Sequence, residues 1–464
     1  MAASIARTCA YASSPGFSIF PKRSRLFLTL RTKLHCSASV CSGLLFNLNK
    51  RGIIKDSFAA QDALPELLQS GPQTVYCGFD PTANSLHVGN LLAIIGLLHF
   101  RGSGHHVLAL LGGATAQIGD PSGKTTDREA LSPGTVESNT HSIRESLQRI
   151  FTNYELGTVT VLNNLKWYKD WDVVRFLSQT GRHFRMGTML SRHSVQSRLK
   201  SAEGMTLTEF TYQVFQAYDF YHLNQIYGCK IQLGGTDQLG NLMSGHDYIH
   251  VSGQEVYGLT IPLITSSVGD KLGKTAGNAV WLNRDKTSPF ELYQFFIRQP
   301  DSTIEYLKLF TFLPLGEIER LMEQQREDPS KRLGHKRLAA EVTKLVHGKE
   351  GLESAKCTNA LYNSSVEALE EMTDEELQEL FREAPFLETL FEPGTTVIEA
   401  CRKVNAIPDG PRHRMVSEGA VHINHSRVDN PEQVLVPKLH ILSNGLSLIR
   451  VGKRNFYIIK WLSL

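Results

Sequence analysis

From about residue 72, short apolar runs of strand type alternate with longer runs of helical periodicity. The strand-like runs are TVYCGF, HVLALLGG and TVTVLNN, and helical spacing of apolar residues covers 87–101 and 135–151 between them. This alternation indicates an α/β domain with a Rossmann-like, doubly wound parallel sheet. In such sheets ligands bind beyond the carboxyl ends of the strands, so polar strings that follow strands are candidate sites.

The first such string is YCGFDPTANSLHVGN, residues 76–90. His87 to Asn90 open the apolar helical run LLAIIGLLHF, so a ring and an amide stand at a helix N-terminus. Backbone N–H groups and the helix dipole favour anions there, which suits a nucleotide triphosphate. A histidine at a helix start is more often a simple cap, so this string alone is weak evidence for a nucleotide site.

A second polar string, KLGKT at residues 271–275, follows the strand-like run GLTIPLIT and a polar turn. Two lysines three residues apart, with a hydroxyl behind them, can wrap a pyrophosphate as mobile point charges. Surface lysines in a loop are usually only solvated. The two strings together are much less expected by chance than either one alone.

HVGN and KLGKT resemble the HIGH and KMSKS signatures of the class I aminoacyl-tRNA synthetases. The strings YCGFDPT, GGATAQIGDPSGK, TYQVFQAYDF and QLGGTDQLGN resemble the tyrosyl-tRNA synthetases of bacterial and mitochondrial type, and the likeness runs from about residue 60 to the C-terminus. The resemblance implies a ligase that activates L-tyrosine with ATP to tyrosyl-adenylate and pyrophosphate. It then transfers tyrosine to the 3′-terminal adenosine of tRNA(Tyr), and no covalent enzyme intermediate is required.

Residues 206–228 have apolar and aromatic side chains at helical spacing. Tyr212, Gln216 and Asp219 fall at i, i+4 and i+7, so they share one face. An aspartate on an otherwise apolar face needs a partner, and a salt bridge or a cap is the structural alternative. The resemblance implies that Asp219 and Tyr76 bind the phenolic hydroxyl of tyrosine, while Tyr212 and Gln216 bind its ammonium group. The implied tyrosine-binding set is Tyr76, Asp80, Thr115, Asp120, Tyr212, Gln216, Asp219 and Gln232.

The resemblance also implies the residues that bind ATP. Lys124 and Arg128 would form a mobile arm over the leaving pyrophosphate, and Asp237 would bind a ribose hydroxyl. The implied ATP-binding set is Gly78, Asp80, His87, Asn90, Lys124, Arg128, Gly235, Asp237, Gln238, Lys271 and Lys274. Catalysis would come mainly from positioning and from donors to the developing charge, with the candidates Thr82, His87, Lys271, Lys274 and Thr275. Mg²⁺ is expected to accompany ATP, with no prosthetic group and no metal site of the protein.

One position departs from the family signature, which usually ends in histidine where this chain has Asn90. The implied role there is to bond the ribose. An asparagine amide can donate at similar reach but cannot carry a proton, so hydrogen bonding survives and acid chemistry at this position is excluded.

The first 55 residues contain nine Lys and Arg, eight Ser and no Asp or Glu. This composition is typical of a mitochondrial or chloroplast transit peptide, with a disordered basic arm as the alternative. We expect the mitochondrial matrix as the location and no membrane attachment. Without this leader, 40 basic residues face 46 acidic ones, so the body is acidic. The seven cysteines lack metal-ligand spacing, which predicts reduced thiols and no zinc.

The order of patterns predicts four segments: a transit peptide at 1–55, a catalytic domain at 56–287, an α-helical domain at 288–392 and a small α+β module at 393–464. The resemblance implies anticodon binding for the helical domain and an S4-like RNA-binding fold for the last module. Residues 395–464 carry ten basic and five acidic residues, so the tail is locally basic. Many small α+β modules would show the same pattern.

Two alternatives to the ligase stay open at this stage. The chain could be an RNA-binding protein that retains a synthetase body without using it, which the two intact lysines disfavour. It could instead select tryptophan, but indole would leave the pair Tyr76 and Asp219 without a hydroxyl partner. A homodimer is implied by the family alone. The pattern sets neither the transit cleavage site nor the identity elements of the tRNA.

Overall fold

The computed structural model of the chain describes residues 38–58, 63–124, 126–155, 157–264, 274–275, 278–363, 386–407, 412–452 and 455–462. A six-stranded sheet in the order β1-β6-β5-β2-β3-β4 forms the centre of the first part. Its strands are β1 Asp56–Phe58, β2 Thr74–Phe79, β3 His106–Leu111, β4 Thr160–Asn163, β5 Cys229–Gly235 and β6 Tyr257–Ile261. The five strands β2 to β6 are parallel, which confirms the predicted doubly wound sheet. The edge strand β1 pairs antiparallel with β6 and was not predicted.

Helices cover both faces of this sheet. They are α1 Ala38–Arg51, α2 Ala63–Gln69, α3 Val88–Gly102, α4 Thr115–Ile118, α5 Pro133–Asn153, α6 Leu165–Tyr168, α7 Val173–Gln179, α8 Met186–Ser191, α9 His193–Leu199, α10 Leu207–Tyr227 and α11 Leu239–His250. Alternate residues of β2 divide between the faces: Val75 and Cys77 pack in the cluster that contains α3, and Tyr76 packs against Phe220 and Leu223 of α10. The period-2 alternation of a strand therefore builds two apolar layers.

Local signals fix the ends of the long helices. Ser132 caps α5 through its hydroxyl, with Pro133 at the first helical position. Thr206 caps α10 in the same way, and Gly228 ends it in the left-handed conformation at φ 61°. These caps place the polar face of α10 in a fixed register beneath the sheet.

The segment before the sheet is part of the folded body. Leu44, Leu48 and Ile53 are buried in the main apolar cluster. The buried Arg51 guanidinium donates to the carbonyl oxygens of Thr311 at 2.9 Å, Lys308 at 3.3 Å and Leu313. A leader that extends to residue 55 disagrees with this packing. Composition missed the segment because its packing partners lie outside it: the helix packs on α2 and α3, and the Arg51 guanidinium binds carbonyl groups more than 200 positions later.

Two short strands, β7 Lys274–Thr275 and β8 Asn278–Ala279, pair with each other after the sheet. Helices follow them, as predicted from residue 288. They are α12 Pro289–Ile297, α13 Tyr306–Phe310, α14 Leu315–Glu327 and α15 Leu333–Asn363, the last kinked at Gly348 with φ 81°. Leu292, Phe296 and Val342 lie in the same apolar cluster as the sheet and α3. The helices therefore share a core with the sheet. The predicted helix TDEELQELFREAP lies outside the described residues.

The C-terminal module has its own apolar cluster and a five-stranded sheet in the order β11-β10-β12-β13-β9. Its elements are β9 Phe386–Leu390, α16 Val397–Lys403, α17 Arg412–Ser417, β10 Val421–Ile423, β11 Ser426–Val428, β12 Leu446–Val451 and β13 Asn455–Leu462. Strand β9 pairs in parallel with β13, and the Phe391 amide donates to Leu462 O at 3.0 Å. The predicted boundary between residues 392 and 393 therefore falls inside the module.

Three cysteines in the described part of the chain, Cys77, Cys229 and Cys401, are buried and form no disulfide. Burial raises the pKa of Cys77 to about 12. These thiols are packing residues with little thiolate character. In the same described part, no helix combines the length and the apolar character that a membrane span requires.

Candidate active site

The predicted site residues meet at the carboxyl ends of the parallel strands. Asp80 directly follows β2, Thr115 follows β3, and Asn164 follows β4. The hydroxyl of Thr115 donates to Asp80 Oδ1 at 2.7 Å, and Asn164 Nδ2 donates to Thr115 Oγ1 at 3.1 Å. One hydrogen-bonded chain therefore links three neighbouring strand ends.

Asp80 is held from two sides. Besides Thr115, the Tyr212 hydroxyl of α10 donates to Asp80 Oδ2 at 2.8 Å. Burial raises the pKa of Asp80 to about 6, and the two hydroxyl donors oppose that rise. A Cβ on Gly112 would lie 1.8 Å from Asp80 Oδ1, so only glycine leaves room for this contact.

Asp219 lies on the same face of α10 as Tyr212, as the helical spacing predicted. It accepts hydrogen bonds from Asn164 Nδ2 at 3.0 Å, Trp167 Nε1 at 2.9 Å and the Tyr168 hydroxyl at 2.9 Å. The partners are neutral donors, so the alternative of a salt bridge or a cap was wrong. Burial raises the pKa of Asp219 to about 7, and the three donors oppose the rise.

Tyr76 and Gln232 are directly paired residues of β2 and β5. The sheet reverses its strand order between these two strands, which is where doubly wound folds bind ligands. The Tyr76 hydroxyl and Gln232 Oε1 are both buried, and neither has a hydrogen-bond partner among the described residues. Burial, and next the charge of Asp219, raise the pKa of Tyr76 well above its ordinary value, so its hydroxyl stays protonated. Gln216 is half-buried one turn beyond Tyr212.

Asp120 connects the loop after α4 to the start of α11. Its carboxylate accepts from the Ser122 amide at 3.0 Å, from Asn241 Nδ2 at 3.4 Å and from Gln238 Nε2. Asp237 and Gln238 lie in the turn Thr236–Gln238 that directly precedes α11. The predicted amino-acid and ATP residues of this region are therefore brought together.

Asn90 has a local role that the sequence did not reveal. Its Oδ1 accepts from the His87 amide at 3.1 Å, and His87 Nδ1 accepts from the Gly89 amide at 3.0 Å. The two residues form a capping box at the start of α3. Because Nδ1 accepts, neutral His87 carries its proton on Nε2 and offers a donor there.

The remaining ATP-side residues differ in how firmly they are held. Arg128 Nε donates to Asp120 O at 2.6 Å, and the Arg128 amide donates to Glu209 Oε1 at 2.8 Å, so this residue is anchored. Lys124 and Thr82 are exposed. The two glycines lie along the strand ends: no atom lies within 4 Å of a Cβ built on Gly78, and one built on Gly235 would approach Asp237 Oδ1 to 2.5 Å.

The lysine string is described only in part. Lys271 lies outside the described residues. Lys274 and Thr275 form a short strand that pairs antiparallel with Asn278–Ala279. Their roles in binding pyrophosphate stay predictions.

The chain is similar to known proteins of a single synthetase family. The family described as tRNA synthetases class I (W and Y) matches residues 68–362. The chain belongs to this family. The human protein named mitochondrial tyrosine–tRNA ligase is 59% identical over 458 residues, covering 95% of this chain and 96% of the human one. The mouse protein of the same name is 60% identical over 442 residues, covering 91% of this chain and 94% of its own.

A solved structure agrees with this class I synthetase assignment. The C-terminally truncated mitochondrial tyrosyl-tRNA synthetase of Aspergillus nidulans aligns with a TM-score of 0.64 at 33% sequence identity. The alignment covers 69% of this chain and 97% of the fungal one.

Sequence reasoning missed the three donors to Asp219. Asn164, Trp167 and Tyr168 lie in the string NNLKWY, directly after β4. Asn164 is fully buried and also accepts from the Ala114 amide at 2.7 Å, so it links three segments. The available signal was a polar string at the end of a parallel strand, the criterion that singled out the string at residues 76–90.

Proposed function

We propose that this class I synthetase is a tyrosine–tRNA ligase. The observation that carries the proposal is the buried Tyr76 hydroxyl, which lacks a partner among the described residues and whose pKa the charge of Asp219 raises. A phenolic hydroxyl of the substrate would donate to Asp219 and meet Tyr76. Indole offers one N–H donor and no acceptor, so it would leave Tyr76 unpaired. The relatives named above carry tyrosine in their names.

The amino-acid end would be bound by the second carboxylate group. Burial raises the pKa of Asp80, and the negative charge of Asp120 adds to that rise. A substrate ammonium between them would relieve this repulsion, with Tyr212 and Gln216 beside it on α10. The carboxylate of tyrosine would then be free to attack the α-phosphorus of ATP. Holding both reactants in line supplies most of the rate enhancement in reactions of this type.

ATP would lie over the start of α3. The Nε2–H of His87 and the backbone donors of this helix N-terminus would meet phosphate oxygens. Thr82, Lys124, Arg128, Lys271, Lys274 and Thr275 would complete the phosphate contacts, and Gly78, Asn90, Gly235, Asp237 and Gln238 would hold the nucleoside side. Mg²⁺ would arrive with ATP as part of the substrate.

The second half-reaction needs tRNA(Tyr), which we assign to the helices after residue 288 and to the S4-like C-terminal module. We also propose a homodimer. Val173, Val174 and Leu177 of α7 are 71%, 72% and 56% exposed, while Phe176 on the other side of the same helix is buried. An unpartnered apolar face of this kind suits a protein contact.

The location proposed is the mitochondrial matrix, and the relatives named above are called mitochondrial. The transit segment would end before Leu44, because Leu44 and Leu48 supply core side chains to the body. Mass spectrometry of the protein isolated from mitochondria gives the mature N-terminus. A mature chain that begins after Arg51 would contradict this assignment, since it would lack the buried guanidinium.

The deciding experiment is ATP–pyrophosphate exchange by the purified chain with tyrosine, phenylalanine or tryptophan, followed by charging of tRNA(Tyr). We expect exchange with tyrosine only. Exchange with tryptophan would assign the other specificity of the family. Absence of exchange with any amino acid, alongside tRNA binding, would favour the RNA-binding protein without catalysis.

A further inference from the structure

Arg198, near the end of α9, is fully buried, and its guanidinium donates five hydrogen bonds. Its Nη2 donates to Glu209 Oε2 at 2.8 Å and to Asp127 Oδ1, and its Nη1 donates to Glu209 Oε1 at 3.3 Å. Nη1 also donates to Thr126 O at 2.7 Å, and Nε donates to Gly204 O at 3.1 Å. Because every N–H donor of this buried guanidinium has a partner, the ion pair requires its surroundings to be held in one geometry.

Glu209 extends the contact to the loop that enters the pocket. It is 3% exposed, lies in the first turn of α10, and its Oε1 accepts from the Arg128 amide at 2.8 Å. Tyr212 and Asp219 lie further along the same helix. The Arg198–Glu209 pair therefore ties residues 126–128 to the helix that carries the amino-acid pocket.

Arg128 is the residue that this tie positions. Its Nε donates to Asp120 O at 2.6 Å, and neither of its Nη atoms has a hydrogen-bond partner among the described residues. Burial raises the pKa of Asp80 and the charge of Arg128 opposes that rise, while the Arg128 side chain passes against Gly119 in the loop after α4. With backbone and Nε both fixed, the two Nη atoms are left to bind an anionic group.

We propose that Arg198 and Glu209 are positioning residues for amino-acid activation. They hold the segment Thr126 to Arg128 against α10, and through it they place the Arg128 guanidinium where it meets the phosphates of ATP. Neither residue touches a substrate. The inference rests on the proposed ligase activity. It adds a buried ion pair outside the pocket that supports the ATP-binding loop.

The test uses two variants that weaken the tie from opposite ends. Asp127→Ala removes the carboxylate at the loop end, where the Asp127 side chain is 47% exposed. Glu209→Gln keeps the shape of the side chain but turns an amide N–H toward Arg198. The matched control is Asp247→Ala, which removes a 53% exposed carboxylate paired with Arg192 outside the pocket.

We expect kcat/KM for ATP in pyrophosphate exchange to fall about tenfold in Asp127→Ala and about 10²-fold in Glu209→Gln, with the KM for tyrosine unchanged. The control should stay within about twofold of the parent. A purely structural role would lower the active fraction and leave both KM values alone, so active sites are counted by the burst of tyrosyl-adenylate.

A second measurement removes dependence on the folding of Glu209→Gln. If the tie acts through Arg128, Asp127→Ala should have no further effect in an Arg128→Ala background. Additive losses, or an Asp127→Ala variant with unchanged kcat/KM for ATP, would overturn the inference. A parent chain with no tyrosine-dependent exchange would instead overturn the proposed function.

Discussion

The amino-acid pocket and the C-terminal module use charge in opposite ways. In the pocket, the carboxylate of Asp219 is buried and every hydrogen bond to it comes from a neutral donor. In the module, Arg402 on a helix, Arg427 on a strand and Lys438 in a turn are exposed around a small apolar core. The pocket holds a few buried polar groups in strict geometry, and the module presents many charged groups to solvent.

This difference predicts different kinds of recognition. A buried polar group that loses its partner bears the full desolvation penalty, so the pocket can detect a single hydroxyl. Exposed cations act by summed charge, and salt screens them within about 8 Å at physiological ionic strength. We therefore expect the pocket to set amino-acid specificity and the module to supply salt-dependent affinity for RNA.

The largest expected effect comes from Asp219→Ala. The substrate phenol loses its acceptor, and three buried donors lose their partner. Sites that bind a hydroxyl reject the analogue without it by about 10⁴ to 10⁵, a range for which tyrosyl-tRNA synthetases are themselves the standard example. We expect the preference for tyrosine over phenylalanine, measured as the ratio of kcat/KM in exchange, to fall by about 10³ or more.

Asp219→Asn is the matched variant, since it keeps the volume and one oxygen acceptor. It should lose less discrimination than the alanine variant. Circular dichroism melting separates loss of fold from loss of specificity. An unchanged preference in a folded Asp219→Ala protein would contradict the role assigned to this residue.

The second prediction separates the two regions by ending the chain after Asn363. This cut precedes β9, which pairs with β13, so it removes the module whole where a cut at 392 would leave β9 behind. Every residue assigned to activation is retained. We expect tyrosine-dependent exchange within about threefold of the parent and tRNA charging reduced by about 10² or more at moderate salt, because phosphate contacts are lost. Equal charging by both chains across a salt series would make the module structural only.

The elements that sequence predicted well are those with local signals. The helix α10 begins at the Thr206 cap and ends at Gly228, and both signals lie within the helix and its flanks. The strands β1 and β9 were missed because each is short and is defined by a partner far along the chain. Strand β1 pairs with β6 about 200 residues later. No local pattern contains that information.

The site divides in the same way. The relation of Tyr212 to Asp219 follows from helical spacing, and the structure brings both into one pocket. The relation of Asp219 to Trp167 is a contact across 52 positions, and the packing of α6 on α10 decides it. The capping role of Asn90 depends only on neighbouring residues, but the family resemblance implied a ribose contact instead.

The third prediction concerns pH and tests whether burial controls the pocket. The pKa of Asp219 is raised to about 7 and that of Asp80 to about 6, so the folded state favours the protonated forms. Their contribution to the free energy of unfolding is therefore fully present below pH 4 and is lost as pH rises through 6 to 7. A phenol donates best to the ionised carboxylate, so tyrosine affinity should change in the opposite sense.

We expect the KM for tyrosine to fall about tenfold between pH 6 and pH 8, following ionisation of Asp219. In Asp219→Asn the same profile should be flat over that range. A flat profile in the parent chain would show that the donors from Asn164, Trp167 and Tyr168 outweigh burial and keep the carboxylate ionised throughout.

The smallest expected effect lies in the module and compares two exposed arginines. Arg402, in the last turn of α16, has no ion pair among the described residues, whereas Arg414 of α17 pairs with Glu418 at 2.7 Å. A cation that is already neutralised releases fewer counterions when it meets a phosphate.

In the plot of log K for tRNA binding against log salt, Arg402→Ala should lower the slope by about 1, and Arg414→Ala should lower it less. Affinity at physiological salt should change by only a few fold in either variant. Equal slopes for both variants and the parent would mean that RNA meets neither helix, and the exposed charge of this part of the module would then serve solubility alone.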